Sequence, residues 1–261
     1  MRVVVTGIMI AVLLLCLPGC SSNKETAAPQ KDAMEALDAC HDTARKDFLQ
    51  GLSYYERKEY ASADAMFEKN RKTCPLAPYG WHGSFIIALV DGNGQKAEEA
   101  ARKTIEHLQQ VQEKRPALWD GYLEFLYGVC LAVGIKDSGQ ARDHYQRSCE
   151  LKEGRGCSNF GKLLESSDSA TAYKYYTKGC SYGYGRACTN KGVMEETTLK
   201  KPDQALESYR QGCTLRHATG CRNAALLLRA KGNGQDAGVL LQRACELGDI
   251  ASCERHKAKK E

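Results

Sequence analysis

The chain has 261 residues, of which 26% are charged and 13 are cysteines, and its formal net charge is +5. This charge is small, and lysines and arginines alternate with glutamates and aspartates along the chain. The composition therefore excludes the concentrated basic surface of a nucleic-acid-binding protein, and no nucleic-acid partner is expected.

Residues 1–19 have the pattern of a secretory signal peptide, with an apolar stretch over 3–17. That stretch is shorter than the roughly 20 residues that span a bilayer, although a membrane anchor that stays attached is an alternative. The sequence LPGC at 17–20 resembles a bacterial lipobox, which predicts a lipid on Cys20. Plain signal cleavage is a further alternative, because Pro18 stands where a small residue is more usual.

Residues 20–32 are predicted to be the lipidated N-terminus followed by a flexible polar tether, SSNKETAAPQKD. By resemblance to Gram-negative lipoproteins, Ser21 after the lipidated cysteine favours sorting to the outer membrane, with the protein facing the periplasm. A soluble periplasmic or secreted protein is the alternative. All of these exported locations allow disulfides to persist.

Residues 33–115 are predicted to form two helical hairpins. The first has its turn near Lys58, and the second, over 78–108, has its turn at the sequence DGNGQ. If the first helix begins near the start of this range, Cys40 lies almost level with Cys74 across the hairpin. We therefore expect a Cys40–Cys74 disulfide.

A third hairpin is predicted over 117–149, with Cys130 inside its first helix. Cys16 leaves with the signal peptide, Cys20 takes the lipid, and every other cysteine except Cys130 has an expected disulfide partner. Cys130 therefore remains alone and is expected to be a buried thiol that packs as a small hydrophobic group. A disulfide to another chain is the alternative.

Four nonapeptides have a cysteine at each end. Residues eight apart are separated by about 12 Å in a helix and about 26 Å in a strand, whereas a disulfide needs Cα atoms within roughly 4.4–6.8 Å. A bonded pair therefore requires the chain to reverse inside each nonapeptide, and the glycines within them allow this. Zinc fits less well, because zinc-binding cysteines are usually two to four residues apart. We predict no metal and the disulfides Cys149–Cys157, Cys180–Cys188, Cys213–Cys221 and Cys245–Cys253.

The nonapeptides repeat every 31 to 33 residues, a period typical of stacked helical hairpins. Four further positions keep the same register: an alanine eight before the first cysteine, a tyrosine or leucine four before it, an asparagine two after the second cysteine, and a glycine or alanine four after it. They are Ala141, Ala172, Ala205 and Ala237; Tyr145, Tyr176, Tyr209 and Leu241; Asn159, Asn190 and Asn223; and Gly161, Gly192 and Ala225. Each disulfide would then join the end of one hairpin to the start of the next.

This pattern resembles the Sel1-like repeats of the Helicobacter cysteine-rich protein family, specifically over about 137–257, and a domain of disulfide-linked Sel1-like repeats is predicted over residues 116–257. Residues 33–115 resemble tetratricopeptide hairpins more generally. The resemblance implies an all-α fold, an α/α solenoid of stacked hairpins cross-linked by C-x7-C disulfides, with a concave groove that usually binds proteins. It also implies a second possibility, since some members of that family are described as penicillin-binding or β-lactamase-like.

The sequence contains little that could carry catalysis. Its only S-x-x-K motif, which a serine β-lactamase requires, lies at 21–24 in the tether, and the six histidines are scattered through separate repeats. No cofactor is expected. Asn159, Asn190 and Asn223 are the candidate groove residues, although a structural role in capping or bridging adjacent helices is favoured. We predict a scaffold that binds a protein or peptide in the bacterial envelope, with β-lactam binding or hydrolysis as the alternative.

Overall fold

The computed structural model of the protein describes the backbone over residues 28–257 and the side chains over 35–254. The predicted signal peptide, the predicted lipidation site Cys20 and the tether up to residue 27 lie outside the described residues. Between residues 28 and 257, no helix is long and apolar enough to cross a membrane.

Thirteen α-helices make up most of the described chain. They are α1 Ala28–Glu56, α2 Tyr60–Thr73, α3 Tyr79–Val90, α4 Gly94–Lys114, α5 Gly121–Val129, α6 Ser138–Glu150, α7 Gly154–Leu164, α8 Ser169–Ser181, α9 Gly185–Thr197, α10 Pro202–Thr214, α11 Ala218–Ala230, α12 Gly234–Glu246 and α13 Ile250–Lys257. Helices that follow each other in the chain pack together, from α1 with α2 to α12 with α13. The fold is therefore the α/α solenoid of stacked hairpins that the repeat period predicted.

The hairpin turns lie where the sequence predicted them. The first turn, between α1 and α2, contains Lys58 in a left-handed conformation with φ 64°. One boundary was wrong, because α1 begins at Ala28 and residues 28–32 are helical rather than part of the tether. Pro29 falls in the first turn of this helix, where a missing N–H leaves no hydrogen bond unmade, so the helix can include it.

The third hairpin departs from regular helix where α5 ends. The chain continues from α5 as a π-helical segment, Cys130–Ile135. This segment ends at Lys136, which has a left-handed φ of 63°. A Cβ on Gly134, within this segment, would lie 2.3 Å from the Cβ of Ala101, so glycine is needed for α4 to pack there. Cys130 is a free, fully buried thiol beside His82, as predicted.

The repeated small and aromatic residues pack the two helices of each hairpin together. The four repeated alanines are completely buried. The ring of the repeated tyrosine in the following helix packs against each repeated glycine. A Cβ on Gly192 would lie 2.7 Å from the ring of Tyr209. Gly161 stands in the same relation to Tyr176, with a distance of 3.0 Å. The spacing of small and aromatic residues therefore specifies how the two helices of a hairpin, α7 with α8 and α9 with α10, pack against each other.

All five predicted disulfides are present. Each C-x7-C pair joins two successive helices, with Cα–Cα distances of 4.5 to 4.6 Å. The pair Cys40–Cys74 closes the first hairpin, with a Cα–Cα distance of 5.7 Å. Because these bonds link adjacent helices, the four C-x7-C bridges connect each hairpin to the next along the C-terminal part of the solenoid.

Candidate functional site

The four C-x7-C loops reverse the chain at the same position. The fourth residue of each loop has a left-handed φ: 63° at Lys152, 80° at Gly183, 63° at Arg216 and 92° at Gly248. Glycine adopts this conformation freely, whereas other residues do so at some cost. Two of the four reversals therefore use a basic residue, and glycine is less general at this turn than the sequence suggested.

Other glycines of the loops serve close packing instead of the reversal. A Cβ on Gly156 would lie 2.2 Å from the Oγ of Ser148, and a Cβ on Gly220 would lie 2.8 Å from the Oγ1 of Thr189. Both glycines sit where the two bridged helices approach each other. At these two junctions there is no room for a side chain next to the second cysteine, and the other two junctions have the small residues Ala187 and Ser252 at this position.

The loops line a groove, which we call the loop groove. It is formed by residues 183–186, 215–219, 246–248 and Ile250 of three successive C-x7-C junctions, together with Arg155 and the α1–α2 turn at 56–58. Its volume is about 940 Å³. The first hairpin and the last repeats therefore border the same open space, although they are far apart in the sequence.

Positive charge predominates in the loop groove. The basic side chains that line it are Arg57, Lys58, Arg155, Arg186 and Arg216, and the acidic ones are Glu56 and Glu246. Of these two carboxylates, that of Glu246 already accepts a hydrogen bond from Arg243 at 3.1 Å. The groove is therefore suited to hold negative charge.

Arg155 makes cation–π contacts with two aromatic rings. Its guanidinium carbon lies 5.2 Å from the ring centroid of Tyr122 and 5.7 Å from that of Tyr184. Arg45 contacts Tyr122 as well, at 5.2 Å. Such cation–π contacts restrict the guanidinium and leave its N–H groups to bind an acceptor. In Arg155 one of these groups bonds to Glu153 at 3.0 Å.

His217 lies at the N-terminus of α11 within the groove. Burial and the nearby charges of Arg186 and Arg222 lower the pKa of His217 to about 4. Its Nδ1 is 2.8 Å from the Oγ1 of Thr189, a residue of α9. His217 is therefore neutral at pH 7, and it fixes the α10–α11 loop against the preceding repeat.

The predicted groove candidates Asn159, Asn190 and Asn223 do not line the loop groove. Each is half-buried on α7, α9 or α11 and hydrogen-bonds to the repeated tyrosine of the preceding helix: Tyr145, Tyr176 and Tyr209, respectively. Burial raises the pKa of all three tyrosines, in Tyr145 to about 12, and the asparagine contact opposes the rise. The asparagines thus lie at the junctions that the disulfides also cross.

The structure brings together a polar cluster that the sequence did not reveal. The Oγ of Ser208 lies 2.5 Å from Oε2 of Glu195 and 2.9 Å from Nζ of Lys191. Tyr173 donates a hydrogen bond to the other oxygen of Glu195, at 2.8 Å. Ser208 and Glu195 are each only 1% exposed. The cluster joins α8, α9 and α10 inside the solenoid.

A second buried charge lies at the α5–α6 hairpin. The carboxylate of Glu124, which is 2% exposed, accepts hydrogen bonds from Trp119 at 3.0 Å and Arg147 at 3.2 Å, and lies 2.7 Å from Nδ1 of His144. These partners satisfy a charge that would otherwise be costly to bury. Over the residues whose side chains are described, no three His, Cys, Asp or Glu side chains are grouped so that they could hold a metal ion.

Comparisons with known proteins give the fold. No protein-family model and no curated protein sequence matches the chain. A Sel1 repeat protein from Oxalobacter formigenes matches over 78% of this chain and 86% of its own, at 15% identity and a TM-score of 0.51. The antigen c5321 of uropathogenic Escherichia coli, described as having an SLR fold, matches over 84% and 57%, at 16% identity and a TM-score of 0.50. The chain has a Sel1-like repeat fold.

A third match is a chain of the APC/C hetero-tetramer Cut9–Hcn1, with a TM-score of 0.50 and 17% identity. It covers 91% of this chain and 46% of that one, so the present chain spans about half the length of that relative. Because the identities are this low, these matches establish the fold of the chain alone.

The sequence pattern predicted covalent links at the loops and candidate binding residues elsewhere, at Asn159, Asn190 and Asn223. A usable signal was nevertheless present, since three of the four nonapeptides contain an arginine: Arg155, Arg186 or Arg216. Nothing in the periodic pattern places the α1–α2 turn beside these loops. That proximity depends on the curvature of the whole solenoid.

Proposed function

We propose that the protein is an exported helical-repeat scaffold that binds another protein or a peptide in the loop groove. The observation that carries this proposal is the groove of about 940 Å³ built from three successive C-x7-C junctions and the α1–α2 turn. Solenoids suit such a role because each repeat adds side chains to one extended surface. One structural relative, Cut9–Hcn1, is itself a hetero-tetramer.

Two features support the cellular location that we propose. Five disulfides are typical of an oxidising, extracytoplasmic compartment. The N-terminal sequence has the signal-peptide and lipobox pattern, so we place the lipid on Cys20 and the solenoid on the periplasmic side of the outer membrane. We further assign the chain to the cysteine-rich Sel1-like type on the basis of its repeated C-x7-C spacing.

A capture experiment tests the binding function. The oxidised chain is immobilised, incubated with an extract of the cell envelope, and washed, and retained proteins are identified by mass spectrometry. The control is the same chain reduced and alkylated, in which the loops are no longer closed. We expect at least one protein that the oxidised chain retains and that binds it again as a purified component. If no protein binds the oxidised chain above the control, the scaffold proposal is wrong.

The asparagines Asn159, Asn190 and Asn223 are assigned a structural role in this proposal. Their contacts with Tyr145, Tyr176 and Tyr209 support it, because each contact joins two successive helices. Replacing Asn223 with alanine is expected to lower the free energy of unfolding by about 1 kcal/mol, the usual value of a side-chain hydrogen bond, and to leave partner capture unchanged.

β-Lactam hydrolysis is the second candidate, and the contacts of Ser208 are the observation that favours it. A hydroxyl near an amine and a carboxylate has the elements of an activated nucleophile. However, Ser208 is almost completely buried, so an acyl substrate has no path to it in this conformation. We expect no hydrolysis of the chromogenic β-lactam nitrocefin by the oxidised chain. Saturable turnover that the substitution Ser208→Ala abolishes would establish the enzyme instead.

A further inference from the structure

We infer that the loop groove binds an acidic, extended peptide segment, whose carboxylates contact Arg186 and Arg216 beside the N-termini of α9 and α11. This inference rests on the proposed function and specifies the chemistry of the partner. Three observations support it. The groove is positively charged, several repeats line it, and at the first junction the carboxylate of Glu153 binds Arg155, which is equivalent to Arg186.

Two arginines in the groove, Arg186 and Arg216, have no partner among the described residues. Neither Arg186 nor Arg216 forms an ion pair or a side-chain hydrogen bond with any described residue, and both side chains are exposed. By contrast, Arg57 pairs with Glu59 at 2.7 Å and Arg155 pairs with Glu153 at 3.0 Å. The middle of the groove therefore has cationic groups whose counterions must come from outside the described chain.

The first C-x7-C junction shows how a carboxylate can bind at such a position. At the first junction, Glu153 is the fifth residue of the loop and the N-cap of α7, and its carboxylate accepts from the backbone N–H of Arg155 at 3.1 Å and from the Arg155 guanidinium. Arg155 is the second residue of α7, as Arg186 is the second residue of α9. One carboxylate thus binds both the helix N-terminus and its arginine.

The junctions before α9 and α11 lack this carboxylate. The residues equivalent to Glu153 are Tyr184 before α9 and His217 before α11, and neither helix has a side-chain cap. The fourth junction has Asp249 at this position, and its carboxylate already pairs with Arg222 at 2.8 Å. The two middle junctions each combine an uncapped helix with an unpaired arginine in the loop: Arg186 occupies the position of Arg155, whereas Arg216 immediately precedes His217, the N-cap of α11.

The positions of the unpaired basic groups indicate the kind of occupant. Arg186 and Arg216 belong to different junctions and Lys58 to the α1–α2 turn, so a single small anion at one of them would leave the others unpaired. An extended peptide with several aspartates or glutamates can contact successive junctions, and a helix N-terminus favours an anion over a cation. The chain's own C-terminal residues, HKAKKE at 256–261, carry the wrong charge to fill the groove.

Fluorescence anisotropy tests the inference. The oxidised chain is titrated into three labelled peptides of equal length in which serine alternates with glutamate, glutamine or lysine. We expect only the glutamate peptide to bind, with an affinity that falls as salt is raised because the groove charges are exposed. Equal binding of the glutamate and glutamine peptides would overturn the inference, as would the absence of glutamate-peptide binding.

Charge reversal locates the peptide. The double variant Arg186→Glu, Arg216→Glu is expected to weaken glutamate-peptide binding about tenfold or more, because like charges in contact repel the ligand. The control Lys174→Glu, Arg210→Glu changes the net charge equally at two exposed residues outside the groove, and binding should change less than about twofold. Equal loss in both variants would mean that net charge, and not this groove, attracts the peptide.

The same variants separate this inference from the proposed function. If the groove variant still captures its envelope partner as well as the unchanged chain does, the scaffold function stands and the acidic-peptide inference is wrong. If capture and glutamate-peptide binding are lost together, both are supported. A dimer in solution that the groove variant dissociates would instead identify a second copy as the occupant and overturn the inference.

Discussion

The two ends of the solenoid are stabilised differently. From Leu37 to Met194, one continuous cluster of buried hydrophobic side chains runs through the stack, with large rings such as Phe48, Phe67 and Tyr79 at its N-terminal end. In the C-terminal repeats, the core consists of several small clusters of three or four buried residues each, and cysteines belong to two of them. Covalent bridges are therefore densest where the hydrophobic core is thinnest.

Hydrophobic burial and disulfide closure make contributions of similar size to the free energy of unfolding. Burying a large hydrophobic side chain is worth about 1.5–3 kcal/mol, whereas an alanine contributes much less. In the chain-entropy model, closing a loop as short as a C-x7-C loop contributes roughly 2–3 kcal/mol, a gain comparable to one large core residue per junction. The C-terminal repeats thus replace aromatic burial by disulfides, and small residues can occupy their interfaces.

Removing the last two bridges should have the largest effect on stability, and it should act on the C-terminal end of the solenoid. In a variant with serine at Cys213, Cys221, Cys245 and Cys253, we expect a loss of roughly 5 kcal/mol, concentrated in the C-terminal helices. Hydrogen exchange measured by mass spectrometry should show fast exchange in α10–α13 and continued protection in α3–α5. A uniform loss of protection along the chain would contradict the independence of the two ends.

Glycine substitutions should produce the next largest effect. Gly192→Ala would place a Cβ 2.7 Å from the Tyr209 ring, so we expect about 1–3 kcal/mol of destabilisation from overpacking. Gly238→Ala, in α12, is the matched control, since no atom lies within 4 Å of the new Cβ. The control should stabilise by about 0.5–1 kcal/mol through helix propensity and chain entropy. Urea unfolding would measure both, and equal effects would disprove the tight tyrosine contact.

Acid should destabilise both ends of the solenoid. Burial lowers the pKa of His82 to about 3, and burial with nearby arginines lowers that of His217 to about 4. Because both folded-state values lie below the unfolded value of about 6.5, their stabilisation is complete above pH 6.5 and decreases as pH falls towards 4. His217→Gln should reduce this decrease, measured as the melting temperature at pH 7 and pH 4.5. An unchanged difference would exclude His217 as a source of acid sensitivity.

The sequence was sufficient to predict the features that repeat. The helices, their turns, the buried alanines and the C-x7-C disulfides all follow from a regular spacing, because one junction is built like the next. The contacts of Glu124 with His144 and of Ser208 with Lys191 occur once each, so no period could reveal them. The loop groove was missed for a different reason, since it depends on how the curvature of the stack brings distant turns together.

The left-handed basic residues of the turns have a consequence for proteolysis. Lys58, Lys152 and Arg216 are exposed, and each lies inside a loop closed by a disulfide. Trypsin cleavage after any of them leaves two pieces that remain covalently joined. Lys136 and Lys200 are equally exposed and lie outside every disulfide loop, so a cut there divides the chain. Nicks at the closed loops would appear on a gel only after reduction, and the protein would survive them as one molecule.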